Sequence, residues 1–284
     1  LRSSALVEWR DCALVIDCGP DFRQQMLRTK CTHLDAVLFT HEHADHTAGI
    51  DDIRPFFFRQ GDIPIYALPR VIDSLTHRFG YIFNNENKYP GSPSVDIHPV
   101  SPDHPFLVQH KHIVPILGQH NRLEVLGYRI DNFAYLTDIK TIADKECEKL
   151  QGLDVLVLNA LREEPHHSHL NLEEALSLSA KIDANKTYFT HISHHLGFHA
   201  DVEKKLPKNV RGGYFYPYRT KADRTAIWDF VADIPFDQSH PTYQQMLEMT
   251  ELLPRLQTKP VQIVWGLKDP CFHREMLSKV AGHF

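Results

Sequence analysis

The chain has 284 residues, of which 42% are hydrophobic and 24% charged, and its formal net charge at pH 7 is −5. This mild acidity provides no electrostatic footprint for nucleic acid. No run approaches eighteen apolar residues, and no basic start leads into an apolar stretch, so neither a membrane span nor a signal peptide is indicated. We therefore expect a cytoplasmic protein that binds neither membranes nor nucleic acid, with one large domain or one domain and a smaller second one.

The cysteines show no C-x-x-C spacing, and their number is odd. Reduced and mostly buried thiols are therefore favoured over a disulfide framework. The chain starts at Leu1 and stops inside an amphipathic pattern, which favours a piece of a longer reading frame. The five cysteines are Cys12, Cys18, Cys31, Cys147 and Cys271.

The first half of the chain alternates between strand patterns and helix patterns. SALVEW and CALVID predict two strands of a hairpin joined around Arg10 and Asp11, DFRQQMLRT predicts a helix, and LDAVLFT predicts a buried strand. TAGIDDIRPFFF predicts a helix that ends near Pro55, and IPIYAL predicts another strand. The stretch from Asn84 to Pro105 is rich in Pro, Asn, Ser and Gly and predicts a long loop or a pair of short edge strands.

Further along, VLGYRIDNFAYLTD predicts two strands around an Asp-Asn turn, and LDVLVLNA predicts a buried strand. NLEEALSLSAKI predicts a helix capped by Asn171 with Glu174 three residues later, and KTYFT predicts a strand that runs into His191. Hairpins followed by alternating strands and helices predict an α/β fold with layered, mixed sheets. The pattern changes near Gly213, which predicts two domains, residues 1–212 and 213–284.

The segment LFTHEHADHTAG follows an apolar strand and is dense in metal-ligand side chains. In an extended segment His41 and His43 point the same way, so that they can bind one cation. Asp45 and His46 lie just beyond and can bind a second cation next to the first. Imidazole and carboxylate suit Zn²⁺, Mn²⁺ or Fe²⁺. A metal site is favoured over a polar loop with scattered histidines, because four ligand-type residues share this spacing.

A two-metal site needs further ligands from the ends of other strands. His120 precedes the strand in GQHNRLEV, Asp138 ends FAYLTD, and His191 ends TYFT. On its own, Asp138 could equally be a turn-former or a helix cap. Taken together with His120 and His191, a bridging carboxylate is favoured.

These segments together resemble the metallo-β-lactamase fold superfamily. The residues that carry the resemblance are LFTHEHADHTAGIDDIRPF, QHNRLEVLGYRI, FAYLTD, LDVLVLNALREEPHHSHLNLEEAL and TYFTHISHHLGFHADVEKKLP. Within the superfamily they are most similar to the branch of phosphoribosyl 1,2-cyclic phosphate phosphodiesterase, and more distantly to tRNA 3′-processing endonucleases. The resemblance covers about residues 1–210 and implies a four-layer αββα sandwich. Because the family's first strand and glycine-rich turn are missing, it also implies an N-terminally truncated domain.

The resemblance implies a role for each candidate residue in turn. His41, His43 and His120 would hold one metal, Asp45, His46 and His191 the other, and Asp138 would bridge the two. Among His166, His167 and His169, we favour His169 as a general acid or phosphate contact. Asp45, Asp138 and His169 are thus the expected catalytic residues. Other side chains are expected outside the ligand set or on the surface: His194, His195 and His199, and the arginines Arg54 and Arg162, for which a salt bridge is favoured over a phosphate contact.

The function that the resemblance implies is that of a binuclear metal-dependent hydrolase with two divalent ions, Zn or Mn. A metal-bridging hydroxide would attack the phosphorus of a small, cyclic phosphodiester, and His169 would protonate the leaving alkoxide. One alternative is a thioester, lactone or β-lactam hydrolase of the same fold. Another is a metal-binding but catalytically silent chimera. The expected partner is a small-molecule phosphodiester, and homodimerisation stays open.

The C-terminal segment resembles another family. PYRTKADRTAIWDFVADIP and KPVQIVWGLKDPCF are similar to the C-terminal part of an α/β-hydrolase near the haloalkane dehalogenase-like group. That resemblance implies an acid at Asp269. The sequence contains no G-x-S-x-G nucleophile elbow, so an inert appendage is favoured over a second active site. A natural fusion, an artificial fusion and an assembly artefact stay open.

Overall fold

The structure is a computed structural model. It describes residues 4–10, 12–83, 88–196, 238–240, 242–252 and 278. The chain divides into two compact units, residues 1–216 and residues 217–284. Several predicted features lie outside the described residues: the patterns over 214–237 and 259–272 with Asp269, and the side chains of His199 and Cys271.

The first sheet has five strands in the order β1-β2-β3-β4-β5. The strands β1 and β2 are antiparallel and place Trp9 opposite Cys12, which confirms the predicted hairpin, and the remaining pairs are parallel. The last strand forms an edge of this sheet within the loop-rich stretch; of the predicted pair of short edge strands, the described residues 88–105 contain one. The strands are β1 (Ala5–Trp9), β2 (Cys12–Ile16), β3 (Ala36–Leu38), β4 (Ile63–Ala67) and β5 (Val95–Pro99).

The second sheet follows the order β10-β7-β8-β9-β11-β12, and β6 pairs with β7. Neighbours from β7 to β9 are antiparallel, whereas β9, β11 and β12 are parallel. The predicted turn is confirmed, since Ile130 pairs with Phe133 and Asp131 has a φ of 51°. The strands are β6 (Phe106–Val108), β7 (Lys111–His120), β8 (Leu123–Ile130), β9 (Phe133–Leu136), β10 (Thr141–Ile142), β11 (Val155–Asn159) and β12 (Lys186–Thr190).

The helices predicted over DFRQQMLRT and NLEEALSLSAKI are confirmed, and several further helices were not predicted. The predicted cap of the helix after β11 is confirmed, because Asn171 and Glu174 exchange side-chain to main-chain hydrogen bonds in a capping box. The helices are α1 (Phe22–Thr29), α2 (Ala44–Thr47), α3 (Arg54–Gln60), α4 (Pro69–Arg78), α5 (Gly80–Phe83), α6 (Asp144–Glu148), α7 (Leu172–Ile182) and, in the second unit, α8 (Tyr243–Leu252). None of the helices in the described parts of the chain has both the length and the apolar character needed to cross a bilayer.

The prediction that a helix ends near Pro55 was wrong. A short 3₁₀ segment, Ile50–Ile53, precedes α3, and Pro55 lies in the first turn of that helix. Proline is tolerated there because the first main-chain N–H groups of a helix have no intrahelical acceptor. The same residue that would break a helix interior therefore begins one.

Apolar side chains form two clusters that define the layers. Leu14 and Val37 of the first sheet share one cluster with Leu126 and Tyr128 of the second, so the two sheets pack face to face. Helix residues on the outer face of the first sheet join this cluster, including Phe22. On the outer face of the second sheet, residues of β9 and β11 pack against α7 in a separate cluster. The predicted α/β sandwich is confirmed.

The described cysteines are all free thiols. Cys12, Cys18 and Cys147 are buried, and Cys31 is partly buried. Burial raises the pKa of the Cys12 thiol to about 12, and the nearby Asp35 carboxylate adds to this effect. The predicted reduced state holds for these four residues.

Candidate metal centre

The predicted metal ligands come from separate strand ends that meet at one place. Three groups of three residues have ligand atoms that all lie within 4.8 Å of one another. His46 belongs to two of the groups, and Asp138 also belongs to two. The three groups therefore form one continuous cluster rather than three sites. They are His41, His46 and Asp138; Asp45, His46 and His191; and His120, Asp138 and His169.

The Asp138 carboxylate lies at the centre of this cluster. It lies two residues beyond the end of β9, and its side chain is only 2% exposed. Its Oδ2 lies 3.1 Å from Nε2 of His46, and its Oδ1 lies 3.0 Å from Nε2 of His191 and 2.9 Å from Nε2 of His169. Both oxygens of this carboxylate therefore face imidazole nitrogens, and the bridging role stays a prediction.

Asp45, His46 and His191 form the group predicted for one metal. Oδ2 of Asp45 lies 3.4 Å from Nε2 of His46 and 3.5 Å from Nε2 of His191. The rings of the two histidines are nearly parallel, with centroids 5.6 Å apart. The carboxylate of Asp45 is partly exposed, so this side of the cluster opens to solvent.

His41, His43 and His120, predicted for the other metal, are close but less tightly gathered. The ring centroids of His41 and His43 are 4.5 Å apart, and that of His120 lies 5.2 Å from His43 and 5.9 Å from His41. His43 is exposed and belongs to none of the three close groups found among the described residues. The structure thus brings the three rings close to one another without gathering their ligand atoms fully.

Hydrogen bonds to the far nitrogen fix the orientation of these imidazoles. Nδ1 of His46 lies 2.7 Å from Oδ2 of Asp17, and Nδ1 of His41 lies 2.9 Å from Oγ1 of Thr40. Nδ1 of His120 lies 2.9 Å from the main-chain oxygen of Asp138. Because Nδ1 is engaged in each case, Nε2 is the atom left for the centre of the cluster. Such partners fix ring orientation in metal sites.

The sequence interpretation missed Asp17. This residue follows β2 directly, is fully buried, and accepts hydrogen bonds from the main-chain nitrogen and hydroxyl of Thr40. Its position was the available signal, because it ends a buried strand next to β3, whose own end leads into the histidine loop. Burial raises the pKa of Asp17 above its usual value, although His46 acts in the opposite direction.

The residues present fit a metal ion. The Nε2 atoms of His41, His46 and His191 are buried and make no hydrogen bond of good geometry with any described residue. Buried polar atoms without partners are rare in proteins, and each one needs an explanation. Imidazole nitrogens and carboxylate oxygens that face a common point are the ligand set of zinc and related divalent ions. Bound cations would satisfy these nitrogens.

The charges of the cluster follow from burial and from the two carboxylates. Burial alone would raise the pKa of the Asp138 carboxyl, but the imidazoles of His169, His191 and His46 outweigh it and hold the pKa well below its usual range. Burial alone would lower the pKa of His191, but Asp138 and Asp45 raise it to about 9. Burial lowers the pKa of His41 well below its usual value. The cluster thus pairs ionised carboxylates with imidazoles in both protonation states.

Three residues of the cluster have left-handed backbone conformations. The φ angles are 64° for Asp17, 55° for Asp138 and 53° for His191. Such values are uncommon outside glycine and occur most often for Asn, Asp and His. Nearby, the backbone of the loop after β2 approaches so closely that a Cβ on Gly49 would lie 2.0 Å from the main-chain oxygen of Gly19.

His169 belongs to the cluster, and its Nδ1 contacts further polar groups. Its Nδ1 is 3.1 Å from both Oγ of Ser168 and Nδ1 of His166. Burial and the neighbouring His169 lower the pKa of His166 to about 4. His167 is exposed. The structure therefore places His169, and neither neighbour, against Asp138.

The other polar candidates lie in local contacts or on the surface. Arg54 donates to Asp51, to the main-chain oxygen of Gly91 and to the hydroxyl of Tyr89. The contact with Asp51 confirms the salt bridge favoured for Arg54, whereas Arg162 donates to main-chain oxygens of its own loop. His194 and His195 are exposed.

A family model described as a beta-lactamase superfamily domain matches residues 13–192, which is more than half of the chain. The chain belongs to this family. The predicted superfamily is thereby confirmed. Members of the metallo-β-lactamase fold are metal-dependent hydrolases that bind divalent ions through His and Asp side chains of the kind gathered here.

A solved structure similar to this beta-lactamase superfamily chain is that of a diphosphatase from the PhnP family. It is 37% identical, with a TM-score of 0.67 over 74% of this chain and 81% of that protein.

Two curated relatives cover less. A protein of Porphyromonas gingivalis named octanoyltransferase is 40% identical over 202 residues, which is 71% of this chain and 41% of that protein. A cis-3-alkyl-4-alkyloxetan-2-one decarboxylase of Xanthomonas campestris pv. campestris is 30% identical over 77 residues, 27% of this chain and 26% of that protein. This chain thus spans less than half the length of the curated relatives described here.

Proposed function

We propose that this chain is a binuclear metal-dependent phosphodiesterase that acts on a small, cyclic phosphodiester. The observation that carries the proposal is the Asp138 carboxylate, whose Oδ2 faces His46 and whose Oδ1 faces His191 and His169. A carboxylate between two imidazole groups is suited to bridging two cations. The proposed ligands are His41, His43 and His120 for one ion, Asp45, His46 and His191 for the other, and Asp138 for both.

Two divalent ions in these positions would supply an activated water as nucleophile and would neutralise charge on the phosphate oxygens. The protein must hold the ligands rigidly, which is the role we assign to Asp17 and Thr40 behind His46 and His41. As the oxygen of water bonds to phosphorus, the bond to the alkoxide breaks. We assign His169 as the group that gives the alkoxide its proton, because its ring lies 2.9 Å from Asp138 at the edge of the cluster.

The PhnP-family neighbour supports phosphate chemistry and also favours a second candidate. That protein is described as a diphosphatase. Hydrolysis of a phosphoanhydride needs the same nucleophile and the same charge neutralisation as hydrolysis of a phosphodiester. A diphosphatase activity at this site is therefore the second candidate, and the two differ in the leaving group, which is a phosphate in one case and an alkoxide in the other.

A substrate panel tests the proposal. Protein loaded with Zn²⁺ or Mn²⁺ is assayed against bis-p-nitrophenyl phosphate, a ribose 1,2-cyclic phosphate, a nucleoside diphosphate compound, an octanoyl thioester and nitrocefin. We expect turnover of the phosphodiesters only with metal present. Turnover of the phosphoanhydride alone would support the diphosphatase instead. Cleavage of the thioester alone would support the acyl-ester alternative, which the octanoyltransferase name of one relative makes worth including.

Metal content tests the number of ions. We expect two divalent ions per chain by elemental analysis of the wild type. Fewer than two ions, with no turnover of any substrate, would favour the catalytically silent chimera.

We further infer that residues 213–284 are a partial α/β-hydrolase-like segment without a catalytic role of their own. The short match to the decarboxylase supports a second ancestry for part of the chain. The variant Asp269→Ala tests whether this segment contributes to phosphodiester hydrolysis or to metal binding. We expect this variant to keep the wild-type rate of phosphodiester hydrolysis and its metal content, and a loss of either would contradict the inference.

A further inference from the structure

A side chain of the histidine loop points away from the metal cluster and towards α4. Glu42 lies between His41 and His43, and both of its carboxylate oxygens accept hydrogen bonds from Nη1 of Arg70. The Glu42 side chain is 21% exposed, and the Arg70 side chain is 35% exposed. The contact is therefore shielded more than a typical surface ion pair, whose contribution is small.

The other end of the same guanidinium reaches the second sheet. Nη2 of Arg70 donates to the main-chain oxygen of Glu124 in β8. Glu124 lies opposite the residue that precedes His120, at the end of the β7–β8 hairpin. Arg70 thus links the loop that carries His41 and His43 to the hairpin that carries His120. These two elements belong to different sheets, and together they provide the proposed ligands of one ion.

A second arginine of α4 holds the main chain of the same loop. Arg78 donates from Nη2 to the main-chain oxygen of Glu42 at 2.8 Å and to Oγ1 of Thr47 at 3.1 Å. That hydroxyl in turn donates to the main-chain oxygen of His43 at 2.8 Å. Arg70 and Arg78 are eight residues apart, just over two helical turns, and so lie on one face of α4.

The start of the loop has its own attachments to the second sheet. The main-chain nitrogen of Leu126 donates to the oxygen of Thr40 at 3.0 Å, and the hydroxyl of Tyr128 donates to the oxygen of Phe39 at 2.7 Å. Loss of Arg70 would leave both bonds in place. The two sheets would stay joined, and the segment around Glu42 would gain freedom, whereas His46 stays held by the Asp17 carboxylate and by the main-chain nitrogen of Cys18.

We propose that Arg70 is a positioning residue that sets the separation between His41 and His43 on one side and His120 on the other. The proposal rests on the binuclear site proposed above. The guanidinium is a planar fork that can bond a carboxylate and a carbonyl at once, whereas a lysine ammonium on a flexible stem is a single point charge. No described contact joins Arg70 to Asp45, His46 or His191, the proposed ligands of the other ion. Loss of Arg70 therefore weakens the binding of one ion and spares the other.

The test is a titration of metal-free protein with Co²⁺, followed by calorimetry and by the visible absorption of the bound ion, which reports its coordination. We expect the wild type to take up two ions. We expect Arg70→Met to bind one ion with wild-type affinity and the other at least tenfold more weakly, with a changed absorption spectrum for that ion only. We expect the affinity of Arg70→Lys for the affected ion to lie between those of the wild type and Arg70→Met. Glu42→Gln should weaken the binding of the same ion.

Arg129→Met is the matched control. Arg129 also joins main-chain oxygens, those of Lys149 and Gln151, but at the end of β8 away from His120. We expect it to bind both ions as the wild type does. Wild-type binding of both ions by Arg70→Met would overturn the proposal, as would an equal loss in Arg129→Met. If Arg70→Met does not fold, the same comparison is made with Arg70→Lys and Glu42→Gln. A wild type that binds fewer than two ions would instead contradict the proposed function.

Discussion

The Nδ1 atom of His46 lies 2.7 Å from the Oδ2 atom of Asp17, and both side chains are fully buried. The same carboxylate accepts hydrogen bonds from Thr40, whose hydroxyl lies 2.9 Å from Nδ1 of His41. One buried carboxylate thus orients one imidazole directly and a second one through a hydroxyl. Asp17 is therefore as much a part of the centre as the residues that face it.

Replacement of Asp17 by Asn should weaken metal binding. The amide keeps the size of the carboxylate and tolerates the left-handed backbone, but it lacks the charge and one acceptor. Changes to residues that orient metal ligands typically cost about 10–100-fold in metal affinity. We expect a loss in this range, measured by competition with a chromophoric chelator. Asp35→Asn removes another buried carboxylate, one that accepts from the main-chain nitrogen of Ala13, and should lower the melting temperature without changing metal affinity. Equal metal affinities of Asp17→Asn and the wild type would refute this role.

Replacement of Asp138 by Asn should remove the bridge between the two ion positions. We expect fewer than two ions per chain in elemental analysis, and a loss of phosphodiester hydrolysis larger than the roughly 100-fold upper limit for orienting residues. The variant keeps the side-chain volume, so a near-native circular dichroism spectrum serves as the control for folding. A variant that retains two ions would show that the bridging assignment is wrong.

Metal binding should release protons at neutral pH. The pKa of His191 is raised to about 9 from its ordinary value of 6.5, so the imidazole of the metal-free protein is protonated near pH 7. Protonated His191 stabilises the metal-free fold. Because its pKa is raised, this contribution is fully present below pH 6.5 and is lost as the pH rises through about 9. A metal ligand must be neutral, so binding displaces this proton. Calorimetry in two buffers with different ionisation enthalpies should show proton release at pH 7 that declines towards pH 9. Metal binding without proton release at pH 7 would contradict the assignment of His191.

His169→Gln should affect substrates according to their leaving groups. If His169 protonates the alkoxide, its loss should lower kcat by about 10²–10⁴-fold for alkyl phosphodiesters, which need that proton. The effect should be much smaller for p-nitrophenyl esters, because p-nitrophenolate leaves without a proton. His167→Gln is the matched control at a neighbouring exposed histidine. Equal losses for both substrate types, or a loss of bound metal, would indicate that His169 acts as a ligand instead.

Gly49→Ala should destabilise the fold near the histidine loop. The added Cβ would lie 2.0 Å from the main-chain oxygen of Gly19, and backbone atoms cannot rotate away as a side chain can. Overpacking typically costs about 1–3 kcal/mol, and we expect a loss at the upper end of this range in urea denaturation of metal-free protein. A stability equal to that of the wild type would show that the two loops separate at little cost.

Much of the first unit could be predicted from the sequence, because its strands and helices have strong local patterns. The hairpin of β1 and β2, the turn at Asp131 and the capping box of α7 are all local features. Pro55 was misread because the sequence does not say whether a proline ends one helix or begins the next. Local sequence patterns therefore predicted the presence of these helices and strands better than the residues at which they begin and end.

The ligand-type residues could also be predicted, because several histidines and carboxylates at successive strand ends are rare by chance. The residues that orient them could not. Asp17 is 29 residues from His46 in the sequence, and Arg70 is 28 residues from Glu42. Neither pair has a local signature, since each contact depends on how strands and helices pack in three dimensions. Short sequence motifs identify the candidate ligand residues, whereas the orientation of these residues depends on tertiary contacts.

The left-handed backbone at Asp17, Asp138 and His191 has a consequence for protein engineering. Few residue types other than glycine adopt a positive φ, and Asp, Asn and His are enriched among those that do. A designer who wants a different metal preference can exchange these three residue types with little cost to the main chain. Glutamate or a β-branched residue at the same positions would strain the turn and would move or remove the donor atom. The path of the backbone thereby restricts the chemical repertoire open to this centre.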